Sequence, residues 1–227
     1  MKKYIGTKQI EAEPMTRGDA WGKHLLREKP STENFDDEGY HVRYEDGYES
    51  WSPKDTFEKA YKIAETPVDR MQIEAEEVNG RYVKLAAFID SGKMDEVVND
   101  MYNKCLLEIQ CGTMFDYIRL LDTRIQRMQG SDSAEVRKMN FGMAIMALKA
   151  GYPIRRSGWN GKGLMVFKQV PAHIESDVIP KMHIIKGKGF IDYTSQCLIY
   201  NENTGRADSW VPSISDVFAD DWEIVLS

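Results

Sequence analysis

Along the 227-residue chain the spacing of apolar positions changes twice, dividing it into three stretches. In residues 1–66, short alternating runs are separated by turn-forming residues. Lys3–Ile10 reads as an opening strand, and the polar, acidic stretch from there to Gly39 reads as loop. Tyr40-His41-Val42-Arg43-Tyr44 alternates as a half-buried strand does, Glu45-Asp46-Gly47 supplies turn chemistry, and Tyr48-Glu49-Ser50-Trp51 returns as the second arm of a hairpin. Ser52 as N-cap and Pro53 at the first helical position then predict a helix with Phe57, Ala60, Tyr61 and Ile63 on its apolar face.

In residues 67–129 apolar positions recur every three or four residues, the period of a helix. Pro67 opens a first helix, Asp90-Ser91-Gly92-Lys93 breaks it, and Leu106, Leu107, Ile109, Met114, Ile118, Leu121, Ile125 and Met128 give a second helix a broad apolar face. A helical hairpin is expected, acting as a spacer whose stripe packs either within the chain or against other copies. Gly130-Ser131-Asp132-Ser133 reads as a linker. In residues 139–227, Ala144, Ile145, Ala147 and Leu148 share a helical face that stops at Gly151, which suits a C′ position. Strands are expected at Pro153–Arg156, Leu164–Phe167, Cys197–Tyr200 and Trp222–Val225, with Ser213 or Ser215 capping a short helix through Phe218. The fold class is therefore α+β: a small N-terminal α+β module, a central helical hairpin, and a C-terminal domain with helices and a small, mainly antiparallel sheet.

Composition changes this picture little. Hydrophobic residues at 42%, aromatics at 11% and a formal charge of −6 describe a globular chain and argue against a nucleic-acid polymer as partner. Cys105, Cys111 and Cys197 match no zinc spacing, and an odd number argues against a disulfide framework, so a reducing cytoplasm fits best. Gly6, Thr7, Lys8 and Gln9 interrupt any apolar core after Met1-Lys2-Lys3, and no membrane-length apolar run follows. His24, His41, His173 and His183 form no paired metal-ligand motif, and no nucleophile elbow is present, so no catalytic residue, metal or cofactor is expected.

Two stretches carry candidate chemistry. Gly158-Trp159-Asn160-Gly161-Lys162-Gly163 combines permissive glycines with an aromatic plane, an amide and a cation, just after Arg155 and Arg156. Ser209-Trp210-Val211-Pro212-Ser213, followed by Asp216, adds a second aromatic plane, short polar side chains and a carboxylate. They read as two walls of one site. The same residues would equally make a tight turn capped by a buried tryptophan.

Met139-Asn140-Phe141-Gly142, Ala147-Leu148-Lys149, Gly151, Arg156, Gly158–Gly163, Trp210, Pro212-Ser213, Asp216 and Ala219-Asp220-Asp221-Trp222 together resemble the phage Thoeris anti-defence family, the Tad2-like sponges. That resemblance implies binding, without cleavage, of a cyclic ADP-ribose isomer made by Thoeris immunity, or of a cyclic dinucleotide, in the cytoplasm of an infected bacterium. It implies a homo-oligomer, tetramer or dimer, with ligand held between subunits. It also implies Trp159 and Trp210 as a base-stacking pair, Asn160 and Ser213 as hydrogen-bonding neighbours, and Arg156, Lys162 and Asp216 as further ligand contacts. The stretch His173–Ser195, with Lys186-Gly187-Lys188-Gly189, departs from the family pattern and bears on which ligand fits. Lys3-Tyr4-Ile5-Gly6-Thr7-Lys8, Pro14-Met15-Thr16-Arg17 and Ser50–Lys54 resemble an N-terminal module of phage proteins. Met114-Phe115-Asp116-Tyr117 with Arg124-Ile125 resembles a helical segment of crAss-like phage proteins. Two other functions suit the same residues: a hydrolase of cyclic nucleotides, or a phage structural or adaptor protein.

Overall fold

The computed structural model describes residues 9–136, 138–175, 178 and 189–225. The chain divides into two compact units, Met1–Ile73 and Glu74–Ser227. Residues 3–8 of the expected opening strand lie outside the described residues, as do His183 and Lys186–Lys188.

The first unit is built on a three-stranded antiparallel sheet, in the order β1 (Ile10–Thr16), β2 (Glu38–Tyr44), β3 (Glu49–Pro53). The predicted hairpin is β2–β3, closed through Gly47 at φ +81°, a conformation that costs glycine little. The stretch expected to be loop is not one. It carries β1, helix α1 (Arg17–Gly22) and a single 3₁₀ turn at Thr32–Asn34. Pro14, a poor strand residue, is tolerated there because β1 is an edge strand. The following helix, α2 (Lys54–Ala60), starts one residue later than predicted: Ser52 and Pro53 belong to β3 and no side chain caps the helix. Phe57 stacks on Tyr40 at 4.2 Å and on Tyr61 at 5.0 Å, whereas Ile63 falls beyond the helix and is exposed. Trp51 donates from its indole N–H to the Met15 carbonyl at 3.0 Å, tying β3 back to β1.

The expected helical pair is α3 (Pro67–Asp90) and α5 (Met101–Met128), separated by Gly92 at φ +72° and the short α4 (Lys93–Val97). Tyr117 donates to Glu74 at 2.5 Å and the Tyr82 and Phe115 rings lie 5.7 Å apart, so α5 runs back along α3. The broad apolar face predicted for α5 is split: Leu121 and Ile125 are buried, while Leu106, Ile109 and Met128 are exposed.

Among the described residues, two hydrogen bonds fasten α5 to the C-terminal domain. Asn140 donates to Asp116 at 2.6 Å, and Arg119 donates to the Lys138 carbonyl at 2.9 Å. Asn140 also caps α6 (Phe141–Lys149), accepting from the Met143 N–H at 2.9 Å. α6 ends as predicted at Gly151, φ +96°, where bonds from Gly151 N–H to Leu148 and from Tyr152 N–H to Ala147 close a Schellman turn.

Behind α6 lies a five-stranded antiparallel sheet, in the order β10 (Trp222–Ile224), β4 (Ile154–Arg156), β5 (Leu164–Lys168), β8 (Cys197–Asn201), β9 (Arg206–Ser209). β6 (Ala172–Glu175) and β7 (Phe190–Tyr193), neither expected from the sequence, form a separate two-stranded ribbon. The core joins one face of α6 (Met143, Ala144, Leu148) to Met139, Ile154, Val166, Ala219 and Trp222. Trp222 has no exposed surface at all.

Candidate ligand-binding site

The chain's last strand brings the two candidate stretches together. β10 pairs with β4 so that Trp222 lies opposite Arg156, which sets Asp221 beside the turn that begins at Ser157. Ser157 N–H bonds the Asp221 carbonyl at 3.0 Å and Gly158 N–H bonds the Asp221 carboxylate at 2.9 Å. Trp159 is thereby lowered onto Trp222, with ring centroids 5.5 Å apart and planes at 76°. Trp210 reaches the same indole from the end of β9, at 6.1 Å and 78°, its backbone N–H held by the Cys197 carbonyl at 2.8 Å. Trp159 and Trp210 meet each other at 6.4 Å and 67°. All three contacts are edge to face, the arrangement that aromatic quadrupoles favour.

Trp222 is the buried base of this cluster; Trp159 and Trp210 are half-buried and show surface to solvent. The two rings touch, so no base slots between them within one chain. What they present outward is a continuous indole surface.

Asp216 organises the polar side. It sits in α7 (Ile214–Val217), which Ser213 opens with a reciprocal capping box. One carboxylate oxygen accepts from Arg156 Nη1 at 3.0 Å and from the Trp159 indole N–H at 3.2 Å. The other accepts from the Ser213 N–H at 2.9 Å and its hydroxyl at 2.7 Å. The Asp216 backbone carbonyl takes the Trp222 indole N–H at 3.0 Å. Burial alone would raise the carboxyl's pKa; these donors more than reverse that and hold it at about 2. Arg156 also donates from Nε to Asp221 at 2.7 Å, and that bond, followed by the one to Asp216, raises the guanidinium's pKa. The Asp221 carboxyl is lowered chiefly by the same bond to Arg156.

The seven predicted site residues thus divide. Trp159, Trp210, Arg156, Asp216 and Ser213 converge on one spot. Arg156 and Asp216 satisfy one another there, and Ser213 is engaged by Asp216 and by the Ser215 hydroxyl at 2.8 Å. Asn160 and Lys162 are exposed on the turn, Lys162 giving its carbonyl to the Asn203 amide at 2.7 Å. The glycines of this turn serve the fold. A Cβ on Gly158 would lie 2.5 Å from the Asp221 carboxylate, one on Gly161 would strike Leu164 at 2.4 Å, and Gly163 holds φ +78°.

Sequence reasoning placed Trp222 in a closing strand and gave neither Trp222 nor Asp221 a part in the site. Their signal is strand pairing: Trp222 opens the strand beside Arg156, and Asp221 directly precedes it. An open cleft of about 780 Å³ has Arg156 and Asp221 on its wall but neither Trp159 nor Trp210. Glu135, Asp220, Asp221 and Glu223 outnumber Lys138 and Arg156 on its walls, a poor setting for an anion. Among the described residues no cluster of His, Cys, Asp or Glu could hold a metal ion, and no helix is long and apolar enough to cross a membrane.

Among the described residues the site is a half-exposed aromatic surface on a hydrogen-bonded base. The Thoeris anti-defense 2-like domain model, Tad2-like, matches residues 139–225. Thoeris anti-defense 2 of Bacillus phage SP01 is 37% identical over 93 residues, covering 39% of this chain and 96% of that protein. Through its C-terminal domain the chain belongs to the Tad2-like family. A second model, named Sequestin, matches residues 65–127, the span of the helical pair.

Proposed function

We propose that the C-terminal domain captures a cyclic nucleotide immune signal, a cyclic ADP-ribose isomer or a cyclic dinucleotide, and holds it without breaking it. The relationship to Thoeris anti-defense 2 supports a phage anti-defence role against Thoeris and the binding of a signalling molecule, and the family is consistent with a non-catalytic role. The observation that carries the proposal is the pair of half-exposed indoles, Trp159 and Trp210, set side by side on Trp222 and locked by Asp216.

A cyclic nucleotide offers flat bases to that surface, and stacking contributes about 1–3 kcal/mol per base. Asn160 and Lys162, exposed at its rim, supply an amide for base or ribose and a cation for phosphate. Arg156, Asp216 and Ser213 act mainly by fixing the rings, so little ordering remains to oppose binding. Val211, Ile214 and Phe218, each about 80% exposed, border Trp210 and Ser213. Apolar exposure of that kind suits a subunit interface, with a second copy covering the ligand's other face.

The test is to incubate the purified protein with a panel of cyclic ADP-ribose isomers and cyclic dinucleotides, remove free ligand, heat-denature, and analyse what is released. Intact ligand supports the proposal. Cleaved ligand identifies a hydrolase, and no retention across the panel favours an adaptor role.

A further inference from the structure

One stripe of α5 carries apolar positions that stay largely exposed, Tyr117 among them although its hydroxyl bonds Glu74 of α3. Tyr102 is 71% exposed, Leu106 43%, Ile109 58%, and Tyr117 and Leu120 39% each. Thr113 lies among them and is exposed, its hydroxyl turned back to the Ile109 carbonyl at 2.8 Å.

The spacing of this stripe is specific. Tyr102, Leu106, Ile109, Thr113, Tyr117, Leu120 and Arg124 are separated by 4, 3, 4, 4, 3 and 4 residues, a series that reads the same in both directions about Thr113. Tyr102 to Thr113 to Arg124 is an eleven-residue repeat, close enough to the α-helical period that the stripe runs nearly straight along the helix. Asp116 and Arg119, which fasten α5 to the C-terminal domain, flank this stripe and are not members of it.

We propose that α5 is a self-pairing helix: a second copy of the chain docks on it antiparallel, about a two-fold axis at Thr113. The axis sets Leu106 on Leu120, Ile109 on the Tyr117 ring, Thr113 on Thr113, and Tyr102 under the Arg124 guanidinium, a cation–π pair.

Charge selects this direction. Glu96 of α4 and Asp100, the N-cap of α5, lie at the start of the helix, and Arg124 and Arg127 at its end, while Asp95 and Arg119 are paired within the chain with Lys104 and Asp116. With Lys93, Lys104, Asp116 and Asp122 counted as well, the start stays net acidic and the end net basic. Antiparallel pairing sets acidic end against basic end and opposes the helix dipoles, whereas parallel pairing stacks like charges. The pairing is independent of the ligand reading, because Trp159 and Trp210 lie in another part of the chain.

The experiment uses the full chain with Cys105→Ser, Cys111→Ser and Cys197→Ser, and adds single cysteines under mild oxidation. Thr113→Cys should form a disulfide-linked dimer at least about tenfold faster than Glu108→Cys on another side of α5, reflecting the high local concentration at the axis. Tyr102→Cys should fail to link to itself yet link to Arg124→Cys when the two proteins are mixed. Equal rates at Thr113→Cys and Glu108→Cys overturn the proposal, as does self-linking of Tyr102→Cys, which means parallel pairing. As a measurement without cysteines, Leu106→Glu with Leu120→Glu should halve the mass in solution while circular dichroism keeps its helical signal. An unchanged mass with that signal intact also overturns it.

Discussion

Asp216→Asn is the substitution that tests the rigid base of the indole surface most directly. The carboxylate accepts four hydrogen bonds from Arg156, Trp159 and Ser213 in a residue only 7% exposed. An amide has one acceptor oxygen, so its NH₂ must face donors on one side, and Arg156 keeps only Asp221 as a charged partner. Breaking one side of a buried ion pair costs about 3–5 kcal/mol. Part of that cost depends on pH in a definite direction. The carboxyl is lowered from 3.8 to about 2 in the folded protein, so its contribution is complete above about pH 5 and is lost as pH falls through about 2. The shift is equivalent to about 2 kcal/mol. Urea unfolding followed by indole emission, with Trp21→Phe and Trp51→Phe to restrict the signal to the cluster, measures both. Asp216→Asn should lower stability by several kcal/mol at pH 7, and most of the pH-dependent 2 kcal/mol should have vanished from the gap by about pH 2.5. A loss under about 1 kcal/mol at pH 7, or a gap of constant size across that range, would refute the reasoning.

Trp159→Ala and Trp210→Ala should each weaken capture by about tenfold or more while leaving the fold intact, measured as retained cyclic nucleotide after gel filtration. Trp222→Ala should instead cost about 3–5 kcal/mol of stability, because it empties the centre of the core, and lose binding only as a consequence. Gly158→Ala should destabilise by about 1–3 kcal/mol, since the added methyl displaces the Asp221 carboxylate from Arg156; the same urea titration checks it. Asn140→Ala removes both the α6 cap and the bond to Asp116. It should cost about 1–2 kcal/mol and speed amide hydrogen exchange in the first turn of α6.

Local rules made much of the fold legible. The β2–β3 hairpin, the break at Gly92, the Schellman stop at Gly151 and the cap at Ser213 each depend on a few neighbouring residues whose backbone preferences are fixed by their own chemistry. Such preferences act over one turn, and so they can be read from one turn of sequence. They did not extend to β1, which contains Pro14 and two glutamates, because an edge strand tolerates both once a neighbour supplies its hydrogen bonds.

The sequence by itself determined which residue types could form a nucleotide-facing surface, and it named Trp159 and Trp210. Only tertiary structure decided what each would do. The pairing of β10 with β4 put Trp222 beneath both rings, turned Arg156 and Asp216 inward to neutralise each other, and left Asn160 and Lys162 outside. A charged side chain's role depends on which partner reaches it first in the folded chain. Here those partners lie about sixty residues away along the sequence, beyond the reach of any local pattern.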